Sequence, residues 1–159
     1  MKKYFVNLNE AVTEEMTKRF AKKLLVNPLF AEEMLQTREV IKNHPQAVTD
    51  SGKPLFDEDT FYAEIKGKSG SRTLISKESF TYQPERKVLN ILINKLFDKN
   101  QDNFQDREEV FEVFAEGMMT GNILPVGKLI DGTFGRGTLR KIGELDEDIE
   151  AQQEFISQL

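Results

Sequence analysis

The sequence predicts an α+β fold in which helical hairpins pack on short antiparallel β-strands. Apolar residues recur at helical spacing within residues 9–44 and 84–120, residues 60–66 alternate as in a strand, and turn formers separate these segments. A regular strand–helix–strand series is not apparent, which argues against a doubly wound sheet. The length of 159 residues suits one domain. We place this domain at residues 1–143 and an acidic C-terminal helix or tail at residues 144–159.

The N-terminal segment predicts a short strand followed by two helices. Residues 2–8 alternate weakly, and a helix capped by Asn9 follows to about Val26. Asn27-Pro28 ends that helix and starts a second one, which ends near His44 because the residue before a proline avoids helical angles. The apolar stripe of the first helix is formed by residues at four-residue spacing: Val12, Met16, Phe20 and Leu24.

The middle of the chain predicts a loop and a β-hairpin. Residues 45–59 are rich in turn formers, whereas residues 60–66 alternate between apolar and polar side chains. Residues 72–76 and 80–82 are also typical of strands. The glycine-containing basic segment 66–72 is therefore expected to be a flexible connection within the hairpin.

The C-terminal half predicts two more helices and a second pair of strands. A helix from Pro84 to about Asp98 should be the most buried one, since seven of the ten residues 88–97 are apolar. A fourth helix, at about 107–120, should end at Gly121. Five glycines in residues 123–143 favour a strand–loop–strand arrangement, and residues 144–159 favour a short acidic amphipathic helix.

The net charge of −5 is unevenly distributed. Residues 144–159 contain six acidic residues and no basic one, which leaves 22 basic against 21 acidic residues in 1–143. A nearly neutral body of this kind does not exclude a polyanionic partner.

Composition excludes several classes of site. The chain has no cysteine and a single histidine, which rules out disulfides, thiolate nucleophiles and sites that need several His or Cys ligands. No apolar run approaches the roughly 18 residues of a membrane span, and the start turns polar too early for a signal peptide. We therefore expect no membrane association and a cytoplasmic location, or a place in a virion if the origin is a phage.

The segment 98–109 resembles an EF-hand calcium loop. Such a loop places oxygen ligands at its positions 1, 3, 5, 7, 9 and 12. These positions hold Asp98, Asn100, Asp102, Phe104 (through its carbonyl), Asp106 and Glu109. Asn103 stands where the family has glycine, and no second such loop is present. The alternative is a capping box, in which Asp106 and Glu109 begin the fourth helix without a metal.

Two basic glycine-containing segments are candidates for binding a partner or phosphate. Their basic residues are Lys66, Lys68 and Arg72 in the first segment, and Arg136, Arg140 and Lys141 in the second. Arginine provides bidentate donors for phosphate, and such loops could equally meet an acidic protein surface. A P-loop is rejected because Tyr62 occupies the position of its first glycine.

Catalytic patterns are weak. His44 is the one histidine and is expected to cap a helix, and no nucleophile elbow is present. Glu64-Ile65-Lys66, with Asp57 and Asp59 upstream, resembles a metal-dependent nuclease arrangement, although only the triplet matches.

The expected function is therefore that of a non-enzymatic macromolecule-binding protein: a regulator, an inhibitor or an assembly subunit. It would act on a protein partner or by self-association. A phage or mobile-element origin would suit a composition rich in Lys, Asn and Phe. The alternatives are a calcium-binding protein and a nucleic-acid-binding protein or nuclease.

Overall fold

The computed structural model describes residues 5–159, and its elements form an α+β fold as the sequence predicts. Seven α-helices lie in this range: α1 (Val6–Leu24), α2 (Ala31–Asn43), α3 (Gln83–Lys99), α4 (Arg107–Thr120), α5 (Leu124–Phe134), α6 (Thr138–Glu144) and α7 (Ile149–Gln158). A short 3₁₀ helix, Pro28–Phe30, precedes α2. The strands β1 (Thr60–Ser69) and β2 (Arg72–Ser79) pair as one antiparallel hairpin. No described helix is both long enough and apolar enough to cross a bilayer.

The chain forms two compact units. The helical unit comprises the described residues up to Met16 together with residues 82–159, and the hairpin unit comprises residues 17–81. The boundary between them falls within α1. The prediction of a single domain at 1–143 stays a prediction.

The core of the helical unit is built around α3. This helix contains six buried residues, more than any other described helix, which confirms the prediction that it is the most buried. Leu89, Leu92 and Leu96 are completely buried. They belong to one apolar cluster with side chains from the other helices of the unit, among them Val12, Phe114, Ile130 and Ile156.

The start of α1 is capped by a residue from the C-terminal acidic segment. Asp146 is buried, and its carboxylate accepts hydrogen bonds from the backbone N–H groups of Val6 (2.6 Å) and Asn7 (3.1 Å). A carboxylate at a helix N-terminus satisfies N–H groups that lack partners within the helix. The predicted strand at 2–8 is thus wrong at residues 6–8, and residues 2–4 lie outside the described range. The predicted C-terminal helix is confirmed as α7.

The predicted strand–loop–strand at 123–143 is wrong, because this segment forms α5 and α6. Val126 and Ile130, four residues apart, are buried in the core. Gly135 and Gly137 have φ angles of 109° and 92°, which allow the chain to turn sharply between the two helices. The Asp131 carboxylate then accepts hydrogen bonds from Gly137 N (3.0 Å) and Leu139 N (2.9 Å) at the start of α6.

The hairpin unit combines the second half of α1, the 3₁₀ helix, α2 and the β-hairpin. Asn27 caps the 3₁₀ helix by accepting a hydrogen bond from Leu29 N, as expected for Asn-Pro. Thr37 of α2 accepts one from Ala63 N of β1, and both residues are buried. Lys18 and Asp59 form an ion pair of 2.6 Å in a largely buried position.

One part of the predicted apolar stripe of α1 is wrong. Val12 is buried and Met16 is half-buried, but the side chain of Phe20 is 63% exposed. Four-residue spacing drifts around a helix of 3.6 residues per turn, so a long stripe does not stay on one buried face.

Candidate partner-binding surfaces

The first set of predicted basic residues lies on the β-hairpin. β1 extends to Ser69 and β2 begins at Arg72, so Gly70 and Ser71 alone form the turn. The expected flexible connection over 66–72 is therefore wrong: Lys66 and Lys68 lie in β1, and Arg72 lies in β2. A two-residue turn is sufficient because Gly70 adopts a φ of 63°. All three basic residues are exposed.

The second set of basic residues lies in the helical unit. Arg136 occupies the turn between α5 and α6, whereas Arg140 and Lys141 lie on α6 and are exposed. Arg140 Nε donates to Glu144 Oε1 across 2.9 Å, one helical turn away. The two sets thus belong to different units of the chain.

The acidic segment 98–109 contains the predicted capping arrangement. Asp106 Oδ1 accepts a hydrogen bond from Glu109 N (3.0 Å), and Glu109 Oε2 accepts one from Gln105 N (2.7 Å). Asn100 donates through its side-chain amide to Leu96 O and Thr133 Oγ1. Asp102 and Phe104, whose carbonyl was the predicted ligand, lie in the connection between α3 and α4. Calcium binding here stays a hypothesis.

The predicted catalytic candidates have structural partners. His44 Nδ1 lies 3.0 Å from Val40 O at the end of α2. Asp59 pairs with Lys18, and Asp57 Oδ1 accepts hydrogen bonds from Asp59 N and Thr60 Oγ1. Within residues 5–159, no three His, Asp or Glu side chains are placed together to hold a metal ion.

The hairpin unit contains a groove that was not predicted from the sequence. It is an open groove of about 560 Å³ between α1, the segment Phe30–Thr37 and the hairpin. Its apolar lining includes Leu24, Leu25, Phe30, Met34 and Phe61. The available sequence signal was the apolar run on both sides of Asn27-Pro28, since Leu24-Leu25-Val26 and Leu29-Phe30 contain more apolar side chains than one helical stripe can bury.

The charged residues of the groove are all acidic. Glu33, Glu64 and Glu78 line it, and no basic residue among 5–159 does. This bias is local, because residues 17–81 contain 11 Lys+Arg against 9 Asp+Glu and therefore carry a net charge of +2. The groove is thus an anionic surface on a unit that is slightly basic.

Glu64 connects the groove with one of the predicted basic residues. Its carboxylate forms an ion pair with Lys66. The hydrogen bond from Lys66 holds the pKa of Glu64 below its usual value, and the same contact raises the pKa of Lys66. Burial, with a hydrogen bond to Glu64, raises the pKa of Tyr62. At neutral pH the lining therefore has an ionised Glu64 beside a neutral Tyr62.

The hairpin unit also exposes most of the large apolar side chains that lie on the described surface. Eight of twelve belong to this unit, although it is the smaller one. Val26 and Leu29, at the corner beside the groove-lining residues Leu25 and Phe30, are 83% and 81% exposed. Large apolar side chains that stay exposed next to a groove are typical of interaction surfaces.

Comparison with known proteins found no match: no protein-family model, no curated protein and no solved structure matches the chain. The groove and the basic surfaces are therefore the candidates for function.

Proposed function

We propose that this protein is a non-enzymatic binding protein that holds a protein partner in the groove of the hairpin unit. The observation that carries the proposal is the 560 Å³ apolar groove beside exposed large apolar side chains. Such a surface loses unfavourable contact with water when a partner covers it. The protein would then act as a regulator, an inhibitor or an assembly subunit, in the cytoplasm or, for a phage protein, in a virion.

The packing of the two walls supports a preformed groove. The buried Thr37, itself a lining residue, accepts a hydrogen bond from Ala63 N and so joins α2 to β1 at the groove. Phe61 contacts Phe80, with 4.7 Å between ring centroids. A preformed surface loses little conformational entropy on binding, so more of the contact free energy becomes affinity.

Site-specific photo-crosslinking in living cells tests this proposal. Benzoylphenylalanine replaces Met34 in the groove or, as a matched control, Met119, which is 72% exposed on α4 in the helical unit. We expect a discrete crosslinked adduct from position 34 and none from position 119. Absence of an adduct at 34, or the same adduct from both positions, would contradict the proposal.

Nucleic-acid binding by the hairpin is the second candidate. Lys68 and Arg72 are exposed on either side of the Gly70-Ser71 turn, and such cations can neutralise backbone phosphates. A gel shift with duplex and single-stranded DNA and RNA at low salt tests this. A shift that weakens with salt and in Lys68→Gln/Arg72→Gln supports it, and no shift rejects it.

A further inference from the structure

We infer that the occupant of the groove is a cationic amphipathic segment of the partner protein, with apolar anchor residues flanked by Lys or Arg. This inference rests on the proposed function and adds the chemistry of the partner. It follows from three features of the groove: its apolar floor, its acidic side chains and the cation that already neighbours one of them.

The floor of the groove suits aliphatic or aromatic anchors. Leu24, Leu25 and Phe61 offer apolar surface. The volume of about 560 Å³ lies within the range of roughly 300–1,000 Å³ that is typical of ligand-binding clefts. Met34 adds an unbranched thioether that adapts to different anchors. A purely polar segment would gain little free energy from covering this apolar surface.

The acidic side chains select the charge of the occupant. Glu33, Glu64 and Glu78 line the groove together with apolar residues, and they stand in a unit whose net charge is positive. The long side chains of Lys and Arg can lay their methylene groups on apolar surface while their charged ends reach a carboxylate. An anionic segment, or a fatty acid, would place like charges together at a cost of affinity.

The effect of Lys66 on binding affinity distinguishes a cationic occupant from an anionic one. It pairs with Glu64 but does not line the groove. A cation brought by the partner competes with Lys66 for the Glu64 carboxylate, so removing the lysine charge should strengthen binding of a cationic segment. Binding of an anion to the hairpin predicts the opposite, because Lys66 would then attract the ligand.

Fluorescence anisotropy with two labelled model peptides tests the inference on the full-length protein. One peptide is an amphipathic sequence of Leu and Lys, and the other has Glu in place of each Lys. The variants are Glu33→Gln/Glu64→Gln/Glu78→Gln, and as a charge-matched control Glu32→Gln/Glu39→Gln/Glu58→Gln, whose residues are exposed in the same unit but do not line the groove. Lys66→Gln is compared with Lys68→Gln.

We expect the Leu/Lys peptide to bind and the Leu/Glu peptide to bind at least about tenfold more weakly. In the groove triple variant, the affinity for the Leu/Lys peptide should fall by about tenfold and should depend less on salt. The control triple variant should show little change in affinity. Lys66→Gln should tighten binding by a few-fold relative to Lys68→Gln.

Four results would overturn the inference: no binding of the Leu/Lys peptide, equal binding of both peptides, equal losses in both triple variants, or weaker binding by Lys66→Gln. Sedimentation showing a dimer that the groove triple variant dissociates would make a second copy the occupant and would also overturn it. If the photo-crosslink at position 34 forms while the peptide results fail, the partner-binding function stands and the cationic chemistry is wrong. If the peptides behave as expected without a crosslink in cells, the groove prefers cationic segments, but the partner-binding function fails and the inference fails with it.

Discussion

Arg86 Nε donates a hydrogen bond to Glu15 Oε1 across 2.8 Å, and the two side chains are only 6% and 10% exposed. The pair joins the start of α3 to α1 inside the helical unit, and its members are 71 positions apart in the sequence. A buried ion pair is costly to desolvate. Removing one partner therefore lowers the free energy of unfolding mainly because the other charge stays buried without its counter-charge.

Glu15→Leu should therefore destabilise the protein strongly. The charge of Arg86 would stay buried without the Glu15 carboxylate, and the expected loss is roughly 3–5 kcal/mol in the free energy of unfolding. The double variant Glu15→Leu/Arg86→Leu should recover much of this loss, because it removes both charges. Urea denaturation monitored by circular dichroism gives the free energy of unfolding of the wild type, the single variant and the double variant. A double variant no more stable than Glu15→Leu would contradict this account.

Asp131 should make stability depend on pH in the acid range. Backbone N–H donation from Leu139 and Gly137 holds the pKa of Asp131 below its usual value. A carboxyl whose pKa is lower in the folded than in the unfolded protein stabilises the fold above the unfolded value of about 3.9, and this contribution is lost as the pH falls through the folded pKa. Asp131→Asn replaces one of the two acceptor oxygens by an NH₂ group and should cost about 1 kcal/mol at neutral pH.

The difference between the wild type and Asp131→Asn should shrink as the pH falls below about 4. Urea denaturation at a series of pH values measures it, and ¹³C NMR of the Asp131 carboxyl gives the folded pKa independently. A difference that stays constant down to the acid end of the titration would show that the charge has no such role.

Two helical glycines should respond to alanine in opposite directions. A Cβ on Gly117 of α4 would lie 2.9 Å from Val126 Cγ2 and 3.3 Å from Asn122 O, so Gly117→Ala should destabilise by roughly 1–3 kcal/mol. A Cβ on Gly132 of α5 meets no atom within 4 Å, so Gly132→Ala should stabilise by about 0.5–1 kcal/mol through helix propensity. Thermal unfolding of both variants measures this; the same sign for both would contradict the close packing of α4 against α5.

The capping box at Asp106 should act without a metal. Because Asp106 accepts from Glu109 N, Asp106→Ala should lower stability by about 1 kcal/mol, equally with calcium and with a chelator. Calorimetric unfolding and isothermal titration with calcium test this together. A calcium-dependent rise in the melting temperature of the wild type that Asp106→Ala abolishes would favour the calcium site instead.

Local chemistry accounts for the elements that sequence analysis placed well. Asn27-Pro28, Pro84 and Gly121 set helix boundaries because capping, a restricted φ and a left-handed φ act within a few residues. The dense apolar residues of α3 likewise require burial wherever the helix lies. The α+β class follows from such signals.

Glycine content at 123–143 and a contact between distant residues at the start of α1 explain the errors. The glycine content of 123–143 favoured a prediction of strands and a loop. The segment is helical instead, because Val126 and Ile130 are buried on one face and Asp131 caps the start of α6. The start of α1 depends on Asp146, some 140 residues away in the sequence. The Asp131 cap spans only six to eight residues, whereas the Asp146 contact leaves no pattern in a short window of sequence.

The sequence by itself determined most helix boundaries, the hairpin, the capped start of α4 and the uneven distribution of charge. Tertiary structure decided that residues 124–144 are largely helical, that Phe20 is exposed and that Glu33, Glu64 and Glu78 share one groove. The physical reason is range: capping and turn geometry act over a few residues, whereas burial and charge clustering depend on which distant elements the folded chain brings together.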